Sequence, residues 1–320
     1  MKNIILLILA FASLSSAQYS LSVENIGGAK HAGETNLFRA TLLKEGAAVY
    51  TIERTIPFDV PFPATYCNST TGISVVSYIM DGFVEVYDAA GEKAWEQNFF
   101  KGMGPNYERT ITVAVGKSSI VFLTSDVTLP HATLRKYSMD GAAQWETTLP
   151  YAMGYEIAMS DNERTIVAGS YLYDDGSVKQ SAMIVRGDGS VAGNAAFLFR
   201  KAAFSPDGRM IGLISNEEAA VVDANNGTII GRQKRKTEGV ITDLMWNGTT
   251  LIVQESKLLN APQGSFFYKD PTLIVYSVTL SEISRRSITT DAFKTSSLTK
   301  AGTDIIFSDG KNSLKISVEK

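Results

Sequence analysis

Residues 87–104 read YDAAGEKAWEQNFFKGMG, and residues 137–154 read YSMDGAAQWETTLPYAMG. Six positions stay in register at an offset of 50: Tyr87, Gly91, Trp95, Glu96, Met103 and Gly104 return as Tyr137, Gly141, Trp145, Glu146, Met153 and Gly154. A period of this size marks a repeat architecture, whose small units cannot bury their own apolar faces and must stack on neighbours.

A second register agrees with the first. Apolar runs end at a serine at Ser77, Ser125, Ser170, Ser215, Ser256 and Ser308, with spacings of 48, 45, 45, 41 and 52. Within this set Ser160, Arg164, Ile166 and Ser170 match Ser205, Arg209, Ile211 and Ser215, across a turn written Asp161-Asn162 in one copy and Pro206-Asp207-Gly208 in the other. Asp, Asn, Pro and Gly supply tight turns between strands. Between the serines lies a second hairpin, with Gly91, Gly141, Gly189 or Gly227 at its turn and apolar flanks such as Phe83 to Tyr87 and Ala182 to Val185. Each unit therefore reads as four short antiparallel strands, A to D. No segment of helical period follows the N-terminal apolar run, so the chain is expected to be all-β.

Four-stranded units at this period resemble the blades of β-propellers in the WD40-like, TolB-like and quinoprotein-like (PQQ-like) repeat families. Phe204, Ser205, Pro206, Asp207, Gly208 and Ile211 look like the A-to-B turn of TolB-like and WD40-like blades. Asp88, Gly91 and Trp95, with Asp140, Gly141 and Trp145, look like the C-to-D turn and outer-strand Trp of quinoprotein-like blades. The resemblance covers about residues 66 to 320 and implies a fold shared by many unrelated functions. Seven blades are expected, with six as the alternative. Three strands near Thr295 to Leu298, Asp304 to Ser308 and Ser313 to Val318 lack a fourth, and a strand near Tyr19 to Glu24 is expected to complete their sheet and close the ring. Residues 26–65 then form a degenerate first blade.

Residues 1–17 read as a secretory signal: Lys2 precedes an apolar run from Ile4 to Leu14, followed by small residues at Ser15 and Ala17. Residues 18–320 are then a single exported propeller domain, periplasmic or extracellular. Later apolar runs are too short to span a bilayer, and no cysteine follows the signal to accept a lipid, so neither a transmembrane segment nor a lipid anchor is expected. Cys67, the one cysteine, excludes an internal disulfide and reads as a small apolar strand residue. After signal removal 29 bases face 33 acids, a mildly acidic balance. The one dense basic run, Arg232, Lys234, Arg235 and Lys236, reads as a solvated strand end, so no nucleic acid is expected as partner.

Antiparallel alternation puts the A-to-B and C-to-D turns at one end of each unit and the B-to-C and D-to-A connections at the other. The second end carries three long B-to-C insertions, 125–133, 170–181 and 256–272, and long connections in compact domains are often functional. Its D-to-A connections hold Phe100, Met103 and Tyr107, then Tyr151, Met153 and Tyr155. Its insertions hold Tyr171 and Tyr173, then Phe266, Phe267 and Tyr268. Aromatic and Met side chains are enriched where proteins bind proteins. Asp174, Asp175 and Gly176 are a weak candidate calcium site, with a solvated turn as the plainer reading. Asn68, Asn226 and Asn247 begin N-glycosylation sequons.

Enzymatic readings find less support. The quinoprotein resemblance implies eight blades and a cysteine pair beside the cofactor, whereas this chain has one cysteine, so no cofactor is expected. A TolB-like role implies an N-terminal α/β domain for which the mature N-terminus is too short. Hydrolytic propellers place metal-binding acids or a His base at the channel mouth, where His131 is the single candidate of its type and Glu108, Glu156 and Glu238 are candidate channel acids. The expected function is non-catalytic binding of a protein or peptide, or of a glycan, through the aromatic-rich loops. The alternative is a metal-dependent hydrolase or lactonase.

Overall fold

The computed structural model describes residues 18–260, 266–301, 304–309 and 312–317; the segment read as a signal, 1–17, lies outside the described residues. Among the described residues there are strands and no α-helix, and no helix is long and apolar enough to cross a membrane. The described residues divide between two compact units, those up to 78 with 84–96 and those of 79–83 with 97 onward. The sequence reading expects one domain.

The first unit begins with a three-stranded antiparallel sheet of β1 (Tyr19–Ile26), β2 (Thr35–Lys44) and β3 (Ala47–Pro57). This corrects the expected ring closure: β1 pairs with β2 over its whole length, from Tyr19 opposite Lys44 to Ile26 opposite Leu37. The pairing is local, joined by a short connection, and so carries little loop-closure cost. The second sheet has the order β4 (Ala64–Cys67), β5 (Ser74–Tyr78), β6 (Phe83–Tyr87), β7 (Lys93–Asn98). Phe38, Ala40, Ile52 and Ile56 of the first sheet pack with Val76 and Tyr87 of the second.

The second unit continues with three four-stranded sheets in strict chain order. They are β8 (Thr110–Val115), β9 (Ser119–Ser125), β10 (Thr133–Ser138), β11 (Ala143–Thr148); β12 (Met153–Met159), β13 (Thr165–Asp174), β14 (Ser177–Arg186), β15 (Val191–Ala195); and β16 (Lys201–Phe204), β17 (Met210–Ile214), β18 (Glu218–Asp223), β19 (Ile229–Lys234). A fourth holds β20 (Val240–Asn247), β21 (Thr250–Asn260), β22 (Phe266–Tyr276), β23 (Glu282–Ser287), and the last is three-stranded, β24 (Ser297–Ala301), β25 (Asp304–Ser308), β26 (Ser313–Ser317).

The repeated residues have identifiable work in this plan. At the A-to-B turns the Ser160 hydroxyl accepts the Thr165 N–H at 3.0 Å, and Ser205 accepts that of Met210 at 2.9 Å, closing equivalent turns. At the C-to-D turns Gly91, Gly141, Gly189 and Gly227 have φ between 77° and 90°, a region that disfavours side chains. A β-bulge accompanies several of these turns, as between Ile184 and Val185 and between Val221 and Val222. Trp145 packs against Gly189 and its indole N–H donates to Gly187 O at 2.9 Å, so the outer-strand Trp of one sheet covers the turn of the next.

Each core sits between consecutive sheets. Val167, Ile184, Phe197 and Phe199 meet Ile211, Leu213, Ala220 and Val222, while Ile214 and Val221 meet Leu244, Trp246, Val253 and Ile274. Burying a side chain of this size contributes about 1.5–3 kcal/mol. The terminal serines of the B strands are mostly buried. Ser125 bonds to Thr110 across the ladder at 2.6 Å and Ser256 to Thr242 at 3.0 Å. Ser77 and Ser170, opposite Ala64 and Gly154, have no hydroxyl partner among the described residues.

Candidate functional site

Two of the three expected long loops are strand over their described residues. The insertion at 170–181 is the outer half of a hairpin in which β13 and β14 pair without interruption from Thr165 opposite Arg186 to Asp174 opposite Ser177. Asp175 (φ 44°) and Gly176 (φ 79°) close it as a two-residue turn, the backbone that Asp-Gly favours. The Asp174 carboxylate is engaged with Lys179 at 2.5 Å, and no cluster of three or more His, Cys, Asp or Glu able to hold a metal occurs among the described residues. The hydrogen bond to Asp174, with a smaller contribution from the Tyr151 phenol, holds the Lys179 ammonium above its ordinary pKa.

On this arm the period of two places Tyr171 and Tyr173 on one face, with Gln180 directly opposite Tyr171 and Val178 opposite Tyr173. Tyr155 joins them from β12, where a bulge between Gly154 and Ile157 displaces it from the ladder. The three rings form an edge-to-face series: Tyr155 to Tyr171 is 6.1 Å at 82°, and Tyr171 to Tyr173 is 5.5 Å at 83°. Such contacts add about 0.5–1.5 kcal/mol beyond area burial. Tyr155 is 45% and Tyr173 74% exposed. Burial, then the neighbouring phenols, push the Tyr171 hydroxyl upward, so that hydroxyl stays protonated at physiological pH.

Beside this ladder opens a cleft of about 460 Å³. It is lined by Tyr155 and Gln180, by Leu198 and Arg200 from the β15–β16 connection, and by the β17–β18 turn with Lys234. The turn is held by Ser215, whose hydroxyl accepts the N–H groups of Glu217 and Glu218 at 3.2 and 3.0 Å. The ladder and the cleft both lie at the end of their sheets that carries the B-to-C and D-to-A connections. Of the cleft residues, sequence reasoning singled out Tyr155 and missed the rest; Lys234 belongs to the basic run read as a solvated strand end.

The other expected aromatics do different work. Phe100 is 4% exposed, beneath the Arg109 guanidinium at 4.6 Å, so it is core where the sequence reading expects a contact residue. The β21–β22 hairpin carries a second arm: Leu258 and Phe266 are exposed, while residues 261–265 lie outside the described residues. Phe267 lies under Lys294 at 5.4 Å, and Tyr268 exchanges both backbone hydrogen bonds with Phe293 while its ring stands 6.1 Å from the Phe293 ring, so these two residues fasten the arm to the chain. Tyr107 is 62% exposed in the β7–β8 connection, Tyr151 is half-buried, and Met103 is exposed while Met153 is half-buried.

Of the titratable candidates, His131 is exposed in the 126–132 loop, and Glu108 and Glu238 are exposed. Glu156 is half-buried, and burial raises its carboxyl pKa against one hydrogen bond from the Ile157 N–H. Burial pushes the Cys67 thiol up to about 11, which keeps it protonated and a poor nucleophile at neutral pH.

No family model and no curated protein matches the sequence. Solved structures do. The crystal structure of BamB from Moraxella catarrhalis superposes with a TM-score of 0.53 at 12% identity, covering 89% of this chain and 81% of that one. Hydrazine synthase from Kuenenia stuttgartiensis superposes with a TM-score of 0.50 at 12% identity, covering 78% and 74%. The chain is a β-propeller. Its seven antiparallel sheets are the blades, and the likeness at this identity concerns the fold. In the propeller the tyrosine ladder belongs to the fourth blade, and the cleft extends from it to the connections of the fifth.

Proposed function

We propose that the propeller is an exported, non-catalytic binding module that captures a protein or peptide through the Tyr155, Tyr171 and Tyr173 ladder. The observation that carries this reading is the ladder itself: three aromatic rings held in series across two paired strands, one of them 74% exposed. Solvent-exposed aromatics cost hydration without packing gain, and Tyr presents large contact area with few rotatable bonds. The fold likeness to BamB supports a propeller scaffold for protein interactions.

The test is affinity capture from the native envelope and secreted fractions, comparing the intact propeller with Y171A/Y173A. A specific protein partner lost in the variant, with the fold retained, supports the reading. Retention of every partner by a folded variant refutes it, and capture of glycan in place of protein would redirect it to the sugar alternative.

A further inference from the structure

We infer that the cleft beside the ladder recognises a carboxylate of the bound peptide, carried by an acidic side chain or by its C-terminus, through Arg200 and Lys234. The inference rests on the peptide-binding reading above.

The basic run divides into used and unused charges. Arg232 donates to Ala196 O at 2.6 Å and lies 5.4 Å over Phe197, and Arg235 donates to Glu238 O and Gly239 O, so both guanidinium groups are committed to their own surroundings. The ammonium of Lys234, a residue that lines the cleft, makes no hydrogen bond or ion pair among the described residues. Arg200 is committed at one point only: its Nη2 donates to Ile241 O, and its Nε is buried with no acceptor among the described residues. A guanidinium has five N–H donors in a planar fork suited to a carboxylate. An Arg whose one bond goes to a neutral carbonyl therefore holds its charge without a counter-ion.

Two acids also line the cleft, and they act on orientation. Glu218 stands 4.0 Å from Arg232, which offsets its charge, while Glu217 lies exposed at the turn tip. A carboxylate is thereby favoured on the Arg200 and Lys234 side and repelled from the Glu217 rim, where backbone N–H groups of a peptide find an acceptor. Gln180 and Asn216, whose side-chain amides make no hydrogen bond among the described residues, add neutral donors and acceptors for the peptide main chain. The ladder then receives the flanking apolar or aromatic residues.

The test uses the full propeller and three synthetic peptides of one Tyr- and Leu-containing sequence, titrated by calorimetry. One is blocked at both ends with a central Asp, one is blocked with Asn in its place, and one carries Asn with a free C-terminal carboxylate. A charge-assisted hydrogen bond predicts that a carboxylate peptide binds about tenfold or more tighter than the blocked Asn peptide. Which of the two charged peptides holds the advantage identifies the source. K234Q and R200Q should each erase most of that advantage; K234Q, an exposed site, separates recognition from any folding defect of R200Q. Equal affinity for all three peptides, an advantage that survives both substitutions, or no binding by any of them overturns the inference. Equal affinity that Y171A/Y173A abolishes would leave the ladder reading standing, whereas a carboxylate preference indifferent to Y171A/Y173A would sink the ladder and keep the cleft.

Discussion

Replacing Asp126 by Asn isolates the charge of a fully buried ion pair at the loop-bearing end of the third blade. Arg109 Nε donates to Asp126 Oδ2 at 2.7 Å with both side chains about 1% exposed, and Thr128 donates its N–H and hydroxyl to Oδ1 at 2.9 and 2.6 Å. The same guanidinium donates to Met80 O at 2.9 Å and covers the Phe100 ring. Burial works to raise the Asp126 pKa, but the Thr128 and Arg109 hydrogen bonds overcome it and hold the carboxyl at about 2, against an ordinary 3.8. Because the unfolded chain takes up that proton first, the contribution is present above the unfolded value and is lost as pH falls through the folded one. The shift corresponds to about 2 kcal/mol. Urea midpoints for the wild type and D126N, taken at matched slopes between about pH 7 and pH 2, should therefore differ most at neutral pH and converge in acid. D126A should cost about 3–5 kcal/mol at neutral pH by leaving the guanidinium buried and uncompensated, whereas R109M/D126L should recover most of that loss. Parallel wild-type and D126N curves across the acid range would refute the assignment of charge to this pair.

Three further outcomes follow from the same structure. F100A should lower unfolding free energy by about 3–5 kcal/mol, while Y173A, which removes one edge-to-face contact at an exposed site, should lower it by only about 0.5–1.5 kcal/mol, both read from denaturant unfolding. In the first unit the Glu85 carboxylate accepts the hydroxyls of Tyr78 and Tyr87 at 3.0 and 2.8 Å and an Arg54 N–H at 3.1 Å; burial, then the Glu85 charge, push the Tyr78 phenol up to about 12. Stability from Tyr78 is then complete below its ordinary value of 10.0 and is lost as pH rises toward 12, and E85Q should move tyrosinate absorbance near 295 nm to lower pH. G176V places a β-branched residue at φ 79° in the arm turn, so it should loosen the Tyr171 and Tyr173 strand and weaken partner capture about tenfold, with the urea midpoint little changed because nothing packs near that position. Unaltered capture by G176V would show that arm rigidity is irrelevant to binding.

The blades were legible because their punctuation is local chemistry. Asp188 closes its turn by accepting the Ser190 N–H and hydroxyl, and Gly189 is required both by its φ of 90° and by the Trp145 ring, which an added Cβ would meet at 2.8 Å. Such constraints recur wherever the motif recurs, so a period in the sequence reports them. Ser77 and Ser170 show the limit of that logic. Ser77 does stand next to the end of β5, but β13 runs on past Ser170 to Asp174. Neither hydroxyl bonds as Ser125 does to Thr110 opposite it or Ser256 to Thr242 in the neighbouring bulge, because the residue opposite is Ala or Gly. The N-terminal strand was placed in the wrong sheet for a related reason: alternation identifies a strand but not its neighbour, and the short β1–β2 connection decided the pairing.

The candidate site depended on register, which sequence spacing does not carry. Phe100 and Tyr173 both stand in segments read as aromatic loops, yet one is core and the other is the most exposed of the named aromatics. The difference is that β13 and β14 continue past the blade edge at Ser170, and uninterrupted pairing as far as Asp174 and Ser177 converts a loop into a strand whose alternate residues share a face. That conversion has a functional consequence. A loop of the same composition would lose conformational freedom on binding at about 0.5–1.5 kcal/mol per ordered side chain, whereas tyrosines already in series on a paired strand have met much of that cost on folding. The extension of one hairpin, set by an Asp-Gly turn and one alternating pattern, thus turns a repeated structural blade into the blade that presents a preformed contact surface.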